Sequence, residues 1–233
     1  MNPANPAERI AGLSLRQAAI TAGISYFLMP VSFAEFYLFP KVVVAGDAAQ
    51  TIQNIAAHRE LFFIGILCHF VTAILDIILA WALYVLLAPV NRDLSLLAAW
   101  LRIVYAAVYL AGVDRLLGVL HVVGTPNYRT LLGDSGWQGQ VQLLLGEFNH
   151  SMNLGLFGIY LIVVGYLISR SGYIPWLLGI ILGVVGAGWV AFVLHPYLFP
   201  NISVDFIPAV GAAELLLPLW LLIRGRKIPE PAS

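Results

Sequence analysis

Leu61-Phe-Phe-Ile-Gly-Ile-Leu-Cys-His69-Phe-Val-Thr-Ala-Ile-Leu-Asp76-Ile-Ile-Leu-Ala-Trp-Ala-Leu-Tyr-Val-Leu-Leu-Ala88 decides the fold of this chain. A bilayer hydrocarbon core about 30 Å thick takes about 20 residues of helix, so this run is long enough to cross one. Its interior nevertheless holds two ionisable side chains, His69 and Asp76. A charge at the centre of a membrane helix costs at least about 2.5 to 3.5 kcal/mol, so such groups mark a functional site by default.

The rest of the composition agrees. Of 233 residues, 61 % are hydrophobic and 10 % charged, against about 25 % charged in an average soluble domain; mean hydropathy is +0.89. An all-α, polytopic integral membrane protein follows. Net charge is zero and no run of like charge occurs, which argues against a nucleic-acid partner and a polybasic lipid anchor. Cys68 is the single cysteine, so no intrachain disulfide or thiolate metal cluster can form, and it reads as a small core residue. Met1 to Ser14 is polar and contains proline, without the apolar core of a cleavable signal.

Six runs have spanning length, at about 16–39, 61–88, 94–122, 140–169, 174–196 and 206–224, within one domain covering 1–233. Pro89-Val-Asn-Arg-Asp93 and Ser171-Gly-Tyr-Ile-Pro175 read as tight turns between antiparallel helices. The segment 40–60, with Asp47 as an N-cap, reads as a short amphipathic helix, and 123–139 as a polar loop carrying Trp137. With the N-terminus inside, the inner segments hold Arg9, Arg16, Arg92, Arg170, Arg224, Arg226 and Lys227, and the outer ones only Lys41, Arg59 and Arg129. The positive-inside rule then puts both termini in the cytoplasm of a cell-membrane protein.

Depth follows from 1.5 Å per residue. Asp76 lies about 22 Å below the outer edge of the second helix and Arg102 about 12 Å above the inner edge of the third. The two meet at one level, where a bidentate guanidinium–carboxylate pair is the least costly arrangement. Nearer the outer surface, Glu35, His69, Glu147, His150 and Glu214, from four helices, share a shell about 6 to 12 Å deep. His69, Thr72 and Asp76 lie on one helical face, as do Glu147, His150 and Ser151.

Glu147-Phe-Asn-His150 has the Glu-x-x-His spacing that offers a carboxylate and an imidazole to one metal ion. His69, Glu147 and His150 are thus candidate ligands for a divalent metal, zinc or iron, with Glu35 and Glu214 as complementary ligand and catalytic base. Such a centre fits a metal-dependent membrane enzyme acting on a lipid-like or amphiphilic substrate. The same shell fits a transporter or sensor binding a small molecule or protons, or a network that only orients helices in a non-catalytic partner subunit. No inverted repeat relates helices 1–3 to 4–6, which weakens the transporter reading slightly. Gly179, Gly183, Gly186 and Gly188, served by Gly155 and Gly158, read as a helix-packing face, and Pro30 and Pro218 as kinks. No phosphate-binding loop, dinucleotide fingerprint or nucleophile elbow occurs.

Arg9-Ile-Ala-Gly-Leu13, Val44-Ala-Gly-Asp-Ala-Ala49 with Asn54-Ile55, Asp76 followed by Leu83-Tyr-Val-Leu-Leu-Ala-Pro-Val-Asn-Arg92, Arg102, Phe157-Gly, Gly165-Tyr-Leu167 and Ser171-Gly-Tyr-Ile-Pro175 occur in that order. Together they resemble a bacterial membrane family catalogued as domain of unknown function 4386, over roughly residues 9 to 190. The resemblance implies a six-helix integral membrane protein of prokaryotic type, with Glu35, Asp76 and Arg102 among its recurring polar positions. It implies no activity.

Overall fold

The computed structural model describes residues 12–149, 153–204 and 206–229. Among them no strand occurs, and six helical stretches are long and apolar enough to cross a membrane: Leu15–Lys41, Arg59–Leu87, Arg92–Gly124, Pro126–Arg170, Trp176–Leu198 and Ile207–Lys227. The protein is an all-α, multi-pass membrane protein. Its elements are α1 (Leu15–Phe27), α2 (Val31–Phe33), α3 (Ala48–Ala57), α4 (Arg59–Leu87), α5 (Arg92–Gly124), α6 (Pro126–Asn149), α7 (Asn153–Arg170), α8 (Trp176–Leu198), α9 (Ile207–Gly211) and α10 (Leu216–Arg224). Phe36, Phe27, Trp100 and Ile223 are among the large apolar side chains left exposed, as lipid contact requires.

Local chemistry explains the boundaries. Ser14 and Gln17 form a reciprocal capping box at the start of α1. Asp47 caps α3, its carboxylate accepting from Gln50 N at 2.8 Å. Helix 1 is not continuous. After α1 the chain passes Pro30, makes the one turn of α2, widens to a π-helical turn over Ala34–Leu38 and tightens to a 3₁₀ turn over Phe39–Lys41. The sixth spanning stretch is broken too, with a 3₁₀ segment, Ala212–Leu215, between α9 and α10. The expected polar loop at 123–139 is a correction: the chain is helical again from Pro126. Pro126 suits a first helical turn, and Trp137 Nε1–H donates to Val122 O at 3.0 Å. A break remains at Gly133, whose φ of +69° suits a residue without a Cβ, and Arg129 bridges it to Asp134.

The chain divides into two compact units. Unit 1 comprises 1–28, 75–105 and 152–233, and unit 2 comprises 29–74 and 106–151. In unit 1, α7 and α8 approach backbone to backbone. A Cβ on Gly165 would fall 2.5 Å from Gly179 O, and one on Gly186 would fall 2.5 Å from Gly158 O. Such contact gives van der Waals packing where no hydrophobic force acts between helices. The Tyr173 hydroxyl, in the turn joining α7 and α8, donates to Leu86 O at 2.5 Å. In unit 2 the apolar core gathers Phe39, Phe62, Ile66, Tyr109, Val113 and Leu116. Gly65 leaves room for the Phe39 ring.

Gly165→Ala should therefore cost about 1 to 3 kcal/mol through overpacking, read as a lowered melting temperature in detergent. Gly183→Ala, one turn along α8 from Gly179 but with no atom near the new methyl, should not lower that temperature and should stabilise by up to about 1 kcal/mol.

Candidate functional site

In unit 1, Asp76 on α4 and Arg102 on α5 are 1 % and 2 % exposed. Arg102 Nε donates to Asp76 Oδ1 at 2.9 Å, and Nη2 donates to the same oxygen. The two donors converge on one carboxylate oxygen instead of forming the parallel fork expected. The third nitrogen, Nη1, is buried with no hydrogen-bond partner.

Four aromatic rings surround the guanidinium. Its Cζ lies 4.8 Å from the Tyr160 centroid, 5.1 Å from Phe157, and 5.8 Å from both Tyr26 and Tyr105. The negative faces of these rings help hold a cation that lipid would reject. Sequence reasoning missed this cage, though a signal existed: Tyr105 follows Arg102 by three residues and Tyr160 follows Phe157 by three, each one helical turn.

Glu214 completes the group. It stands in the 3₁₀ segment Ala212–Leu215, with the Tyr26 hydroxyl and the Trp189 indole beside its carboxyl group, and its Oε2 is enclosed without a well-aligned hydrogen bond. Glu214, Arg102, Tyr26 and Tyr160 line one cavity, closed elsewhere by apolar residues including Leu79, Leu182 and Pro218. The centre of a water molecule has about 20 Å³ available there, room for one or two waters.

Unit 2 holds a second polar centre. His69 is fully buried; its Nδ1 is 2.5 Å from the Tyr109 hydroxyl, and its Nε2 is 3.3 Å from Glu35 Oε1, without hydrogen-bond alignment. The Phe39 ring stacks on the imidazole at 5.2 Å and Phe148 meets it edge-on at 5.2 Å. Glu35, on the π-helical turn, keeps its side chain 41 % exposed. With its proton on Nε2 the ring accepts from the phenol, and with the proton on Nδ1 it donates to it, so the hydroxyl and the tautomer are coupled.

The five groups expected in one outer shell are distributed differently. Glu35 and His69 meet in unit 2. Glu147 belongs to unit 2 but pairs with Arg115, whose Nε lies 3.2 Å from its Oε2, so an available guanidinium holds the carboxylate that was expected on a metal. Glu214 belongs to unit 1, where it lines a cavity together with Arg102. His150 lies outside the described residues. Among the described residues no group of three or more His, Cys, Asp or Glu side chains is placed to hold a metal ion.

Both centres fall inside a match to a known family. The family profile described as "Domain of unknown function (DUF4386)" matches residues 21–225. The chain belongs to the DUF4386 family. A relative from Archaeoglobus fulgidus, described as an uncharacterized protein, is 30 % identical over 167 residues, which cover 70 % of this chain and 85 % of that one. No solved structure matches. The DUF4386 match runs from just before Tyr26 to just past Arg224, so the whole Arg102 cage and the Glu35–His69–Tyr109 contact lie within family sequence.

Arg102→Ala should destabilise unit 1 by about 3 to 5 kcal/mol, because it leaves the Asp76 carboxylate buried and unpaired. Asp76→Asn combined with Arg102→Gln should recover part of that loss, and a double-mutant cycle in thermal unfolding measures the coupling. Additive single effects would show that the two side chains act independently.

Proposed function

We propose that this DUF4386 protein is a proton-coupled transporter or proton sensor, with Glu214 as the proton-binding group beside the fixed Asp76–Arg102 pair. One observation carries the reading: Arg102 Nη1 and Glu214 Oε2, both enclosed and both without a well-aligned hydrogen bond, belong to side chains lining a single water-sized cavity. Buried polar groups are normally satisfied, and two unsatisfied ones on side chains beside one small cavity call for an occupant. With Glu214 protonated, the cluster is neutral, since Asp76 balances Arg102. With Glu214 ionised, it carries one net negative charge, which a water in the cavity can stabilise.

Cavity size and helix geometry favour this reading over chemistry on an amphiphile. About 20 Å³ admits water or a hydrated proton and no lipid-like molecule. Glu214 lies where a spanning helix is interrupted by a 3₁₀ turn, and broken helices in transporters are where coupling ions are held. A metal-dependent enzyme would require Glu147 to leave Arg115 and join His69, whereas the Glu214 cavity needs no rearrangement. Orientation belongs to the same proposal: the excess of basic residues in the segments assigned inside supports cytoplasmic termini.

Proteoliposomes carrying an internal pH dye should acidify in response to an imposed proton gradient, and Glu214→Gln should slow this on the order of a hundredfold while preserving the melting temperature. Equal rates for the two proteins would refute the assignment of Glu214. In a chain with Cys68 replaced by serine, cysteine introduced at Asp47 should react with an impermeant reagent from outside, and cysteine at Arg92 should not.

A further inference from the structure

At one end of unit 1 a groove of about 440 Å³ opens between two hairpin turns, Pro89–Asn91 after α4 and Ser171–Tyr173 after α7. We infer that this groove binds the phosphodiester headgroup of an anionic phospholipid, with Arg170 as its principal contact. This inference goes beyond the proton site and does not depend on it.

Three observations support it. The first is the frame: the bond from the Tyr173 hydroxyl to Leu86 O ties one turn to the end of the other helix, so the groove has a fixed width. Its volume is that of a small-molecule site. The second is charge. The lining residues include Arg170, Asn91, Ser171, Tyr166 and Tyr173, and no carboxylate is among them. Among the described residues Arg170 has no acidic partner; its guanidinium sits 5.7 Å from the centroid of the exposed Tyr166 ring, which orients it without neutralising it. A planar guanidinium with free N–H groups is the side chain best matched to phosphate oxygens. The third is depth. Arg170 is the last residue of a spanning helix, so the groove lies where hydrocarbon gives way to headgroups. Basic pockets between membrane helices at that level are recognised lipid sites, and tyrosines there sit naturally with one wet edge.

Phosphate chemistry could come from a lipid or from free phosphate, and depth selects the lipid. The test uses the full chain in nanodiscs of phosphatidylcholine containing a minority of phosphatidylglycerol, with bound lipid counted by native mass spectrometry after release. The wild type should enrich phosphatidylglycerol over the bulk, and Arg170→Gln should reduce that enrichment about fivefold, the factor that corresponds to about 1 kcal/mol for one basic residue at the surface. Arg224→Gln, which removes an exposed cation of another helix end, should leave it unchanged. Millimolar inorganic phosphate should not displace the lipid. Equal enrichment with and without Arg170, an equal loss with Arg224→Gln, or displacement by inorganic phosphate would each overturn the inference.

Discussion

A guanidinium that keeps its charge at every accessible pH, placed 2 % exposed inside a membrane-spanning bundle, dictates what its neighbours can be. Arg102 requires an anion, and α4 supplies Asp76. It requires polarisable faces around the remaining surface, and α1, α5 and α7 supply four rings. It also keeps a nitrogen, Nη1, that Asp76 does not reach, and Arg102 lines the same cavity as Glu214. Helices that could slide freely in lipid are thereby held at one register, because any slip would strip the cation of its partners.

The glycine faces of α7 and α8 add a second kind of constraint. Carbonyl oxygens of one helix lie where the side chains of the other would begin. That contact is short-ranged and without charge, so it complements the cage: the cage fixes which residues meet, and the glycines fix how closely the backbones approach.

Much of this could be read in the sequence, and the reasons are physical. Spanning helices announce themselves by length and hydropathy, and Asp76 and Arg102 by their cost in lipid. Depth counting brought these two to one level because α4 and α5 are regular through that region. It also brings Glu35 to His69, but it does not bring out that Glu214 shares a cavity with Arg102. Glu214 stands in a 3₁₀ turn, to which a uniform rise and a uniform 3.6-residue period do not apply. The Glu147–Arg115 pair is not legible from depth, because matching depth does not say which of several neighbours a carboxylate meets. The loop at 123–139 was misread because its Gly, Asp and Ser content hides a helix that breaks once, at Gly133.

Those irregular turns have a mechanical meaning. A π turn and a 3₁₀ turn each differ from an α turn by one residue of hydrogen-bond register, wider in one case and tighter in the other. Moving such a defect along the helix by one residue turns the side chain it carries through about 100°. The flanking segments need not translate. Glu35 and Glu214 therefore stand where the hydrogen-bond ladder is already out of α register, so re-aiming either carboxylate would take the rethreading of a single turn and not the rocking of a whole helix through lipid.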